Sequence, residues 1–143
     1  MSVEIATVAT PELEEAFALL IPQLSTSSKP MEIEDLARLI AQDGIYLLLF
    51  RSDVDKKILG MLTLVTFEIP TGKRAWIEDV VVDGEARGQG AGQQLVEAAI
   101  DLAHQKGMKS IDLTSRPSRE AANRLYVRTG FQLRETNIYR HAN

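Results

Sequence analysis

Two adjacent acids and a run of glycines are where this chain could do chemistry. Glu78 and Asp79 interrupt an apolar stretch, Trp76-Ile77-Glu78-Asp79-Val80. Carboxylates in such a stretch are costly unless paired or exposed in a cleft, which favours a role for at least one of them. A carboxylate, or a water held by one, can strip the proton from an ammonium group and leave an amine free to attack. Immediately afterwards the β-branched run Val80-Val81-Val82 gives way to Arg87-Gly88-Gln89-Gly90-Ala91-Gly92, where an amphipathic helix begins. Glycines let backbone N–H groups approach an anion closely, and the first turn of a helix offers unbonded donors and a partial positive charge. That charge alone is worth about 0.3–1 kcal/mol, so several amides and the Arg87 guanidinium must act together. The same glycines also suit a tight turn with close helix packing.

The spacing separates this loop from two well-known phosphate loops. A Walker loop ends in Gly-Lys-Ser/Thr, whereas Gly92 is followed by Gln93 and Gln94. A dinucleotide fingerprint reads G-x-G-x-x-G; this chain has G-x-G-x-G, although Asp112 lies about 20 residues on, as a ribose-binding acid would. The segments before the loop read as antiparallel strands, not as the opening of a βαβ array.

The elements that must position these residues follow from pattern. Val3–Val8 alternates as a short strand. Thr10-Pro11-Glu12 is a helix start, with the helix running to about Leu20 and Pro22 falling in a polar loop. Ile33, Leu36, Ala37, Leu39 and Ile40 have helical spacing up to Asp43-Gly44. Ile45–Arg51, Ile58–Glu68 and Arg74–Val82, separated by short turns, predict an antiparallel meander. A helix then ends at Gly107, Ser110–Ser115 is a strand parallel to Arg74–Val82, Pro117–Thr129 is a helix, and Phe131–Arg140 supplies closing strand material. Strand alternation sets Glu78 in phase with Val80 and Val82, and Asp79 with Val81 and Asp83. The order predicts one α/β domain over residues 1–143, a mixed α+β sheet with helices on both faces.

At 143 residues the chain is long enough for one core, and 45% apolar with 25% charged residues is ordinary for a globular protein. The absence of cysteine removes disulfides, thiolate metal sites and a cysteine nucleophile, and suits a cytoplasmic setting. The two histidines, His104 and His141, have no ligand spacing, so no metal is expected. A net charge of −4 argues against a nucleic-acid binder. No apolar run approaches 18 residues and the N-terminus lacks a signal-peptide pattern, so neither a membrane partner nor export is expected.

With these residues in view, the chain resembles the GNAT superfamily of acyl-CoA-dependent N-acyltransferases over essentially its full length. Arg87–Gly92 matches the family's Q/R-x-x-G-x-G/A loop, and Ala122, Leu125, Tyr126, Gly130 and Phe131 match its later A-x-x-L-Y-x-x-x-G-F segment. The resemblance implies acetyl-CoA as co-substrate, an amine-bearing small molecule as acceptor, and a strand at Val80, Val81 and Val82 that splays from its parallel neighbour so that its backbone pairs with the pantetheine arm. It implies further that the pyrophosphate sits on the amides of Arg87, Gly88, Gln89, Gly90, Ala91 and Gly92, and that Tyr126 donates to the departing thiolate. Glu78, with Asp79 beside it, is the expected base or water holder. The family's usual asparagine is replaced by Arg119, which is left to face the CoA phosphates, with Asn123 nearby. The Trp76–Asp83 strand looks like that of glucosamine-6-phosphate N-acetyltransferases, with Arg140 near their phosphate-binding arginine; Thr114, Asn137 and Tyr139 are further pocket candidates. Acetylation of a protein or peptide, and acyl-CoA binding without turnover, are the competing readings, and a homodimer through the final strands stays open.

Overall fold

A computed structural model describes residues 2–86 and 88–143. The strands β1 (Val3–Ile5), β2 (Ile45–Arg51), β3 (Ile58–Ile69), β4 (Gly72–Val82) and β5 (Ser110–Asp112) form one sheet in sequence order. The first four pair antiparallel and β5 runs parallel to β4. The meander follows from apolar strand runs broken by turn residues; the parallel pair needs a crossover, which the helix α3 (Ala91–Gln105) provides. The remaining helices are α1 (Pro11–Leu24), α2 (Ile33–Ile40) and α4 (Glu120–Arg128).

Alternation along β2 shows how the sheet builds two cores. Leu47 and Leu49 pack with Leu13, Phe17, Leu20 and Leu36 of α1 and α2, while Leu48 and Phe50 pack with Leu95, Val96 and Ala99 of α3. With both faces covered, β2 and the first half of β3 read as nearly unbroken apolar runs. Among the described residues no helix is long and apolar enough to cross a membrane.

Five elements differ from the sequence reading, two of them only in extent: β1 stops at Ile5 instead of Val8, and α4 begins at Glu120 instead of Pro117. Helix α1 continues through Pro22 to Leu24, because Pro22 removes only one amide bond near the end while Ile21 and Leu24 still gain contact with the core. Strand β5 stops at Asp112 instead of Ser115. No strand forms over Phe131–Arg140, a segment without a partner strand among the described residues.

Candidate active site

The acids sit on an irregularity in β4. Met61 faces Val81 and Thr63 faces Glu78, so two steps along β3 oppose three along β4. The extra residue is a β-bulge, and Asp79 there takes the left-handed conformation at φ +51°, which aspartate tolerates better than most residues. The bulge resets the alternation. Val80 and Val82 join Ala75 and Ile77 on the α3 side, whereas Val81 packs on the α1–α2 side. The expected phasing of Glu78 with Val80 and Val82 is therefore corrected: Glu78 shares its side of the sheet with Trp76 and Val81. Its carboxylate Oε1 accepts a 2.8 Å bond from the Trp76 indole Nε1. Asp79 is held with its carboxyl pushed above the usual carboxylate range, first by burial and then by the charge of Glu78.

Before the bulge β4 also loses a neighbour. It pairs with β5 only at Arg74, Ala75 and Trp76, so among the described residues the edge of Val80–Val82 on that side has no strand beside it. Near the divergence the Ser115 hydroxyl is enclosed with no hydrogen-bond partner among the described residues.

The glycine loop lies after a short 3-10 turn at Gly84–Ala86. Gly90 caps α3 at φ +70°, a conformation that would strain a side chain, and brings no capping group of its own. Among the described residues the amides of Ala91, Gly92 and Gln93 have no acceptor, while the Gln89 amide is used within the loop, donating to the Ala86 carbonyl at 3.1 Å. Gly92 meets a different demand. A Cβ there would lie 3.1 Å from Leu125 Cδ2, so its bare backbone is what lets α4 pack against the start of α3. Arg87, expected in this cradle, lies outside the described residues.

Between these parts runs an open cleft of about 300 Å³, lined by Val82, Ala86, Gly88, Gly90, Ala91, Gly92 and Gln93 on one side and by Ala121, Ala122, Leu125 and Arg128 of α4 on the other. Arg128 bonds Gln93 Oε1 through Nε at 3.0 Å. The sequence reading did not single out Arg128; helical spacing would have found it, one turn beyond Leu125 and two beyond Ala121 on the same stripe. Tyr126 is buried, and its hydroxyl bonds no acceptor among the described residues. Burial raises its pKa against a smaller opposing effect of Arg119, so the phenol keeps its proton at neutral pH. Arg119 itself stands at the start of α4. The Asn123 side-chain amide donates to the carbonyls of Arg116 (2.9 Å) and Arg119 (2.8 Å), tying down the loop before α4. The structure thus brings Val82, the glycines and α4 around one cleft, whose lining includes none of Glu78, Asp79 and Tyr126, and leaves Asn137, Tyr139 and Arg140 exposed and apart from it. No group of three or more potential metal ligands occurs among the described residues.

The sequence pattern of the Acetyltransferase (GNAT) family matches residues 12–131. No curated protein matches the chain. Among solved structures, an aminoglycoside acetyltransferase from an uncultured soil metagenomic sample superposes with a TM-score of 0.81 at 20% identity, covering 99% of this chain and 96% of its own. The glucosamine-6-phosphate N-acetyltransferase of Arabidopsis thaliana gives 0.80 at 19%, with both chains fully covered. A transcriptional regulator from Bacillus halodurans C-125 gives 0.77 at 27%, covering 98% and 99%.

Proposed function

Because the chain belongs to the GNAT acetyltransferase family, and is thereby an acyltransferase, we propose that it moves an acetyl group from acetyl-CoA to a primary amine of a small molecule by direct attack. The observation that carries this reading is the cleft: Val82, on a strand edge with no neighbour among the described residues, stands across from the amides of Ala91, Gly92 and Gln93, which have no acceptor among those residues. An extended polar chain with an anionic end fits that pair of features, its amides adding to the strand edge and its phosphates resting on Gly88, Gly90, Ala91 and Gly92. Arg128 supplies a full charge beside the loop, and Arg87 is a second cation in the loop's sequence. Gln89 turns its amide inward and contributes shape.

At pH 7 only about one in a few thousand aliphatic amines is free base, so a proton must leave before attack. Glu78, oriented by the Trp76 indole, accepts it directly or through water, and Asp79 beside it sets the local charge. As charge grows on the acetyl oxygen, a backbone N–H near Val80 faces it. Tyr126, protonated and free of protein acceptors among the described residues, donates to the leaving sulfur. No covalent link to the protein is required, in keeping with a chain without cysteine.

Calorimetric titration with acetyl-CoA, followed by thiol release in the presence of aminoglycosides, amino-sugar phosphates and peptides, tests the proposal. Micromolar binding with release dependent on a small amine is expected. Release with peptides alone would replace the small acceptor by a protein substrate, and binding without any release would leave a non-catalytic acyl-CoA module.

A further inference from the structure

Glu78 borders a stretch of sheet that neither core uses. Strand pairing sets the side chains on its face in rows. The row Leu49, Met61 and Val81 lies in the core under α1 and α2, and the next, Leu47, Thr63 and Glu78, gives only Leu47 to it. Beyond come Ile45, Val65, Trp76 and Asp112, then Phe67, Arg74 and Ser110, then Ile69. None of the apolar side chains in these last rows belongs to either core or packs against one. Ile45, Val65 and Trp76 are half-buried, and Phe67 and Ile69 are each 41% exposed. Adjoining apolar side chains left open beside the assigned base make a surface suited to an apolar group of the acceptor.

Charge narrows what that group is attached to. Glu78 and Asp112 flank Trp76, one along the strand and one across on β5, and among the described residues neither is in an ion pair. The one cation of these rows, Arg74, is turned the other way, its Nη2 donating to Thr71 Oγ1 at 3.1 Å in the β3–β4 turn. Two carboxylates attract an ammonium and repel a phosphate. A sugar's hydroxyls need hydrogen-bond partners when they leave water, and across these rows only Thr63 and Ser110 offer a hydroxyl. The Trp76 indole N–H is already committed to Glu78.

Resting on Glu78 as the base, we propose that the acceptor is an arylalkylamine, a primary amine on a short spacer whose flat ring lies across Trp76, Val65 and Phe67. Trp76 and Phe67 are diagonal neighbours across the β3–β4 ladder, close enough to share one ring. Successive residues on one face of a strand stand about 6.6 Å apart, so a ring on Trp76 with its nitrogen at Glu78 needs only a short spacer. The ammonium enters between Glu78 and Asp112. In the transfer the C–N bond forms, the C–S bond breaks, CoA leaves as the thiol, and one net proton passes to solvent through Glu78.

Thiol release at saturating acetyl-CoA, with 2-phenylethylamine and tryptamine set against glucosamine 6-phosphate and kanamycin, tests the assignment. The kcat/KM of the arylalkylamines is expected to exceed that of the sugars about 100-fold. Phe67→Ser alters an exposed side chain, so acetyl-CoA affinity by calorimetry is expected to hold. The KM for 2-phenylethylamine should rise about tenfold in that variant, the loss falling in KM and not in kcat. A preference for either sugar, release with peptides alone, or an unmoved KM in the variant overturns the aromatic acceptor and leaves acetyl transfer standing. Acetyl-CoA bound without release by any amine fails the transfer reading itself, and the acceptor assignment with it.

Discussion

From Gly72 to Trp76, β4 lies within the sheet with β3 along one side and β5 reaching Arg74–Trp76 on the other; past Asp79 the same strand keeps β3 and loses β5. Composition alone would set the apolar Val80-Val81-Val82 deeper in the sheet than Gly72-Lys73-Arg74-Ala75-Trp76, of which Ala75 alone packs into a core. One inserted residue and one diverging neighbour open the apolar half instead. A strand edge left open is a hazard for adventitious pairing, and a left-handed aspartate is a local strain. That both occur within four residues, beside the start of α3, identifies the second half as the part of the strand shaped for a ligand and the first half as the part that holds it in place.

The contrast is broken most severely from the α3 side. Gly92→Val places carbon where Leu125 Cδ2 already lies 3.1 Å away, so the Leu125 side chain must give way on the wall of the cleft. Overpacking of this kind costs about 1–3 kcal/mol of stability. Acetyl-CoA affinity is expected to fall about 100-fold by calorimetry; wild-type affinity would show that the cleft is not the binding surface. A subtler cut leaves binding intact. Glu78→Gln is expected to lower kcat/KM about 100-fold with unchanged acetyl-CoA affinity. The deficit should narrow as pH rises toward the acceptor's own pKa, where the amine no longer needs a base. A deficit constant across pH 6–10 would assign Glu78 to binding. Arg128→Ala, on the far wall, should weaken acetyl-CoA about tenfold without changing kcat.

The smallest effect concerns the bulge itself. Asp79 has its pKa raised in the folded state, so the fold holds that proton to higher pH than the unfolded chain does. Its contribution therefore turns unfavourable as pH climbs from the unfolded value through the folded one, and stays so above. An asparagine in its place would carry no charge and still suit the left-handed backbone, so Asp79→Asn should raise Tm by about 1–2 °C at pH 7 and leave it unchanged near pH 3. A lower Tm at pH 7 would mean that the carboxylate is held by a favourable contact.

Much of this architecture was legible in advance. The meander was set by apolar runs between turn residues, the α3 start by its glycines, and the packing of α4 by Ala122 and Leu125. The bulge was not, because nothing in Glu78-Asp79-Val80 marks an extra residue; it appears only in register against β3, and it reversed the side assigned to Glu78. The segment Phe131–Arg140 failed as a strand for a related reason. Local preference specifies the extended backbone, but a strand exists only where a second edge receives its hydrogen bonds.

Trp76 is the chain's single tryptophan, and its indole hydrogen is committed to Glu78. The protein thus carries an intrinsic fluorophore bonded to the residue assigned as base. Emission from that one ring should respond to protonation of the carboxylate and to the arrival of an acceptor, so the site can be followed in real time without a label.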